Sequence, residues 1–174
     1  DEDGLPGGIA DNAPGDITGA ATVATGNVAT LFQFGADGPA TNAYSLGSDV
    51  SGLSAQGLTS GGVALTYSVL GNVLTASAGA NTVFTFSLNS STGAYTFTLL
   101  KPLDHPFHDV DSKNNGPETA YEDNLAIALG SVIQATDKDG DAVLANANGL
   151  TISVNDDIPV ATTGQLTAAV DEDG

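Results

Sequence analysis

Over several stretches of this chain apolar and polar residues alternate one by one, the period of a half-buried β-strand and not of a helix. In TVFTFSL (82–88), Phe84, Phe86 and Leu88 fall on one face, with Thr85 and Ser87 on the other. AYTFTLL (94–100) groups Tyr95, Phe97 and Leu99, and the intervening NSSTG (89–93) reads as a hairpin turn, with Gly93 free to take positive φ. A second hairpin, ALTYSVL–GN–VLTAS (64–77), turns at Gly71-Asn72, and LTISV (150–154) sets Leu150, Ile152 and Val154 together. Further strands are expected near 20–24, 28–34, 126–135 and 165–170. The Thr, Ser, Val, Tyr and Phe bias of these runs suits pleated, half-buried surfaces. Many short strands separated by Gly, Asn and Ser turns predict an all-β sandwich. The polar stretch 104–124 is expected to be a long loop, of the kind that organises an ion or a function.

Charge changes this picture more than any other feature. The 174 residues carry 21 acids against three lysines (Lys101, Lys113 and Lys138) and no arginine, a net charge of −18. Nucleic-acid binding is excluded, because no cationic surface exists to displace counterions from phosphate. Direct contact with anionic membranes is disfavoured for the same reason. A compact fold at this charge repels itself, so a neutralising partner is expected. Cysteine is absent, which leaves the chain compatible with an extracellular setting where metal takes the place of disulfides. No apolar run approaches the roughly 18 residues of a membrane span. The start at Asp1 reads as a piece of something larger.

The acids are clustered. Asp1, Glu2 and Asp3 form one group, and Asp104, Asp109 and Asp111 a second. Glu118, Glu122 and Asp123 follow, then Asp137, Asp139 and Asp141 in DKDGD, then Asn155-Asp156-Asp157, and last Asp171, Glu172 and Asp173. Carboxylates held this close repel one another unless a cation sits among them. Oxygen donors without sulfur, on loop backbones with available carbonyls, select several Ca²⁺ ions. DKDGD is not an EF-hand: with Asp137 as position 1, Ala142 stands where the turn glycine belongs and Asn148 where the bidentate Glu belongs. The nonapeptide calcium roll has no run either.

Other chemistries find less support. In DHPFHDVD (104–111), His105 and His108 among aspartates have the look of a zinc site, but incidental surface histidines are the simpler reading. No nucleophile–base pair or phosphate loop is legible, so an enzyme is not expected. The rival is a carbohydrate- or ice-binding module, for which Tyr44, Phe107 and Tyr121, outside clear strands, are the rings available for display, and Thr96 and Thr98 line one strand face.

Order and spacing carry a resemblance. Leu103-Asp104 follows a strand, ATDKDGD (135–141) comes about thirty residues later, and VNDDIP (154–159) closes the unit. This resembles the calcium motifs of cadherin-like domains, and implies ligand roles for Glu2, Asp104, Asp137, Asp139, Asn155, Asp156 and Asp157 at a domain junction. His105-Pro106 stands where the motif has a basic–acidic pair, and the last box is reduced to NDD. Nearly the whole chain, through DEDGLPGG (1–8), STGAYTFTLLKPLDHP (91–106), ATDKDGD and TISVNDDIPVA (151–161), resembles the tandem extender repeats of type I-secreted RTX adhesins of Gram-negative bacteria. The resemblance implies an immunoglobulin-like β-sandwich with calcium-bound loops and termini, a rigid stalk unit on the cell surface, and neighbouring copies of the same repeat as partners. The word DEDG at 1–4 returns at 171–174. One period is therefore expected to comprise a sandwich over 1–157, with 158–174 as linker and first strand of the next repeat. The full set of expected metal ligands is Glu2, Asp3, Asp104, Asp109, Asp111, Asp137, Asp139, Asp141, Asn155, Asp156, Asp157 and Glu172.

Overall fold

The computed structural model describes residues 1–10, 19–106, 123–160 and 162–168. The protein is all-β, with eleven strands among the described residues: β1 (Val23–Asn27), β2 (Pro39–Leu46), β3 (Thr59–Ser60), β4 (Val63–Leu70), β5 (Val73–Ala78), β6 (Asn81–Leu88), β7 (Ala94–Leu99), β8 (Asn124–Ala128), β9 (Ile133–Asp137), β10 (Ala142–Leu144) and β11 (Thr151–Asn155). A single turn of α-helix, α1 (Ser51–Ser54), lies between β2 and β3. Six strands form one sheet in the order β1-β7-β6-β5-β4-β3, three form β10-β9-β2, and two form β11-β8. Every pairing is antiparallel.

Both expected hairpins form. Leu70 pairs with Val73 around Gly71-Asn72, and positive φ at Gly71 alone fits a type II′ turn, whose twist matches the strands it joins. Asn72 then ties this turn to another sheet: its side-chain oxygen accepts from Leu46 N at 3.2 Å and its amide donates to Tyr44 O at 3.1 Å. Phe84, Phe86 and Leu88 are buried, as are Phe97 and Leu99. They join residues of all three sheets in one core, with Leu46 from β2 and Ile127, Ile133 and Ile152 from the smaller sheets.

Four strand expectations are corrected. The first strand runs over 23–27, slightly later than 20–24. Residues 28–34 are not a strand, because Asn27 Oδ1 accepts from Ala29 N at 2.8 Å and turns the chain into a 3-10 turn at Ala29–Leu31. The run 126–135 is two strands, β8 and β9, broken by a 3-10 turn at Gly130–Val132. There the backbone packs so closely that a Cβ on Gly130 would sit 1.9 Å from Asn146 O. Residues 165–168 carry no regular structure, and 169–170 lie outside the described residues. β2 and α1 were not expected; Tyr44, expected as a displayable ring, is buried in β2 against Phe32 and Phe34.

Candidate metal centres

The opening acidic word is buried. Leu5 inserts into the core at 8% exposure and pins the segment before it, leaving Asp1, Glu2 and Asp3 at 9%, 3% and 7%. Leu5 N donates to Glu2 O and Gly8 N to Leu5 O, both at 2.9 Å, so the chain wraps tightly. A Cβ on Gly8 would lie 2.4 Å from Asp3 O and 2.6 Å from Glu2 O, so no other residue fits there. Glu2 N donates to Asn155 O at 3.0 Å, which docks the word on the end of β11.

Three remote segments meet at this dock. Glu2 Oε1 accepts from Leu103 N at 2.7 Å and lies 3.4 Å from His105 Nε2. Ligand atoms of Glu2, His105 and Asp156 lie within 4.8 Å of one another. Asn155 is fully buried, and Asp156 N donates to Asp123 O at 3.0 Å. Asp157 Oδ1 accepts from Ile9 N at 3.3 Å. His105 was expected to be an incidental surface residue, yet its side chain is only 4% exposed. Two buried atoms here have no hydrogen-bond partner among the described residues: Asp1 Oδ2 and His105 Nδ1.

The electrostatics follow from this crowding. Burial alone pulls His105 down, but the Glu2 hydrogen bond and the charges of Asp156, Glu2 and Asp123 outweigh it and hold the imidazole above its ordinary value. Burial pushes the Asp156 carboxyl up, with His105 opposing and Glu2 and Asp123 reinforcing the shift. The His105 shift reports the carboxylates around it, and the Asp156 shift reports chiefly its burial.

A second group lies at the end of β9. Ligand atoms of Asp137, Asp139 and Asp141 fall within 4.8 Å of one another. Asp137 Oδ1 accepts from Gly140 N at 3.1 Å and Asp141 N at 2.8 Å, and Lys138 N donates to Gly38 O at 3.0 Å. A hydrogen bond between the Asp137 and Asp139 side chains lowers the first carboxyl and raises the second. This group is exposed, and it stands at the far end of the β8–β9 run from the buried one, which adjoins Asn124 and Asn155.

The expected ligands therefore sort into separate sets. Glu2, Asp156 and their neighbours Asp3, Asn155 and Asp157 gather at one place, and Asp137, Asp139 and Asp141 at another. Asp104 joins neither set: its two carboxylate oxygens accept from Gly61 N at 2.9 Å and Gly62 N at 2.8 Å. Positive φ at both glycines makes the β3–β4 turn one whose amides an anion can cap. Hydrogen bonding from Thr59 and Gly62 accordingly holds the Asp104 carboxyl below the usual range. Asp109, Asp111 and Glu172 lie outside the described residues, as do Phe107, His108 and Tyr121. Asp1 and His105 were not among the expected ligands, although the repeat of DEDG and the position of His105 beside Leu103-Asp104 marked both.

A family profile described as Domain of unknown function (DUF5801) matches residues 10–149. The chain belongs to this family. The DUF5801 match spans β1 to β10 and the DKDGD group, while the opening acidic word and β11 fall outside it. No curated protein and no solved structure matches the chain. No described helix is long and apolar enough to cross a membrane.

Proposed function

We propose that this DUF5801 chain is a calcium-stabilised extender unit of a large bacterial surface adhesin, its sheets closing an immunoglobulin-like sandwich. One observation carries the calcium reading: Glu2 and Asp156 bring carboxylate oxygens within 4.8 Å of each other at the end of β11, beside the buried Asp1 and Asp3, and a carboxylate oxygen of Asp1 has no hydrogen-bond partner among the described residues. Buried carboxylates without compensation are expensive, and oxygen donors of this number fit a hard divalent cation. When bound, calcium supplies positive charge that the chain itself lacks. Glu2 and Asp156 would hold it, and Asp137, Asp139 and Asp141 would hold another ion. The protein's own part is to bring 1–3, 103–105 and 155–157 together, so that loss of the ion loosens the seam between them.

Extracellular calcium modules bind with Kd of roughly 10⁻⁴–10⁻³ M, empty in a cytosol and filled outside the cell. At about a hundred times Kd each site adds about 2.7 kcal/mol to the folded state, a large share of a domain's marginal stability. An extracellular stalk of such units projects a binding tip as a rod. X-ray scattering from tandem repeats tests this: the account expects an extended particle with calcium and a more compact one with chelator, and unchanged dimensions would contradict it.

A further inference from the structure

We infer that the cleft between the free edges of β1 and β11 is the seat of a β-strand donated by a second copy of this chain, the segment Gly164–Ala168 that leads into its closing DEDG. The inference rests on the tandem-repeat reading for the partner's identity. Among the described residues β1 pairs with β7 alone and β11 with β8 alone, which leaves the second edge of each open there. The cleft between them is bounded by Thr22 and Ala24 on one side and Ile152 and Val154 on the other, and lined also by Phe97 and Leu99. The acidic word already begins to fill it. Asp1 N donates to Ala21 O at 3.1 Å, and the next amide, Glu2 N, donates to Asn155 O at 3.0 Å. Successive N–H groups pointing to opposite neighbours are the signature of a strand lying between two others.

The sequence names the chain that would continue this strand backwards. DEDG at 171–174 is preceded by TGQLTAAV, a short alternating run. Its described part, up to Ala168, has no regular structure in its own molecule, and Leu166 is fully exposed. Superposing the two DEDG words fixes a register. Asp1 stands opposite Ala21, so counting outward antiparallel sets Ala168, Thr167, Leu166 and Gln165 opposite Ala24, Thr25, Gly26 and Asn27. Residues directly opposite share a face. Ala168 and Leu166 then join Ala24, which packs on the core, and Gly26, over which the Tyr95 ring lies. Thr167 and Gln165 join the exposed Thr25 and Asn27. The apolar and polar alternation of the donated strand matches that of the edge it would join, which a shift of one residue would reverse. Such a strand also brings the preceding unit in beside the Asn27 end of β1 and hands it on at Asn155, so entry and exit lie at opposite ends.

Engineered disulfides test the register, since the chain has no cysteine. Two copies are joined as residues 1–170 followed by 1–174, with Thr167→Cys in the first and Thr25→Cys in the second. A hydrogen-bonded antiparallel pair places Cα atoms about 5.5 Å apart, within disulfide range. Both sites are exposed threonines, so folding should survive, and circular dichroism checks it. The account expects this pair to crosslink at least several-fold more than a control with Ala168→Cys in place of Thr167→Cys. Equal or absent crosslinking in a folded tandem overturns it, as does crosslinking of Thr25→Cys with Thr167→Cys within a lone chain, which would mean the segment folds back. Calcium-dependent melting reads the other claim separately. A tandem that responds to calcium without crosslinking rejects this inference alone, and one that crosslinks without a calcium response supports it while rejecting calcium.

Discussion

Asp1, Glu2 and Asp3 lie where water scarcely reaches them, and a chain this acidic has little positive charge of its own to spare. A titratable cation beside them is His105, whose imidazole meets Glu2 Oε1 at 3.4 Å. The same Glu2 oxygen also accepts from Leu103 N at 2.7 Å. Glu2→Gln should therefore remove about 1.5–3 kcal/mol in the presence of calcium, as the loss of a charged hydrogen-bond acceptor does. For a chain of this size that is roughly 4–10 °C in melting temperature, and the difference between calcium and chelator should shrink by more than half; an undiminished difference would exclude Glu2 as a ligand. The His105 part of the pH response in chelator has a definite sign. His105 and Asp156 both titrate above their ordinary values in the folded state, so these two groups bind more protons in the folded chain than in the unfolded one. The His105 contribution is full below about pH 6.5, its unfolded value, and is lost as pH rises through the higher folded value. Calorimetric melting in chelator between pH 6 and 8, compared with a His105→Gln variant, should accordingly show the advantage of the native chain falling as pH rises; an advantage that grows with pH would contradict the pairing.

Among the elements, the Gly61-Gly62 turn gives Asp104 a structural role of its own. Asp104→Ala would remove the carboxylate that both turn amides donate to. The site is exposed, so the expected loss is only about 0.5–1 kcal/mol, a few degrees, with the calcium-dependent shift in melting unchanged. A collapse of that shift would restore Asp104 to the ligands. Single-sided alternation made β4 to β7 and β11 legible, because one face meets the core and the other meets water. β2 hid because its pairing with β9 shifts register between Pro39 and Tyr44, turning the adjacent Ala43 and Tyr44 both inward. The 28–34 run misled because one Asn27 side chain outweighed its pattern. For the site, spacing along the chain carried the order of the motifs but not their partition. The contacts that assemble it span 101 residues from Glu2 to Leu103 and 148 from Ile9 to Asp157, distances over which no local pattern carries information.

At the scale of the whole molecule, three antiparallel sheets share one core, and the acidic word closes the seam between the β1 edge and the end of β11. A seam made of carboxylates is stable only as far as something neutralises it. The DKDGD group, at the other end of the β8–β9 run in the sequence, is exposed where the opening acidic word is buried. The central claim is that divalent cations supply a large part of the folding free energy. Thermal unfolding of the 174-residue chain in calcium at about a hundred times Kd, roughly 10–100 mM, and in excess chelator tests it most directly. With about 2.7 kcal/mol per filled site and roughly 2–4 °C per kcal/mol, the melting temperature should be about 5–10 °C higher per site in calcium; equal melting temperatures in the two buffers would contradict the account.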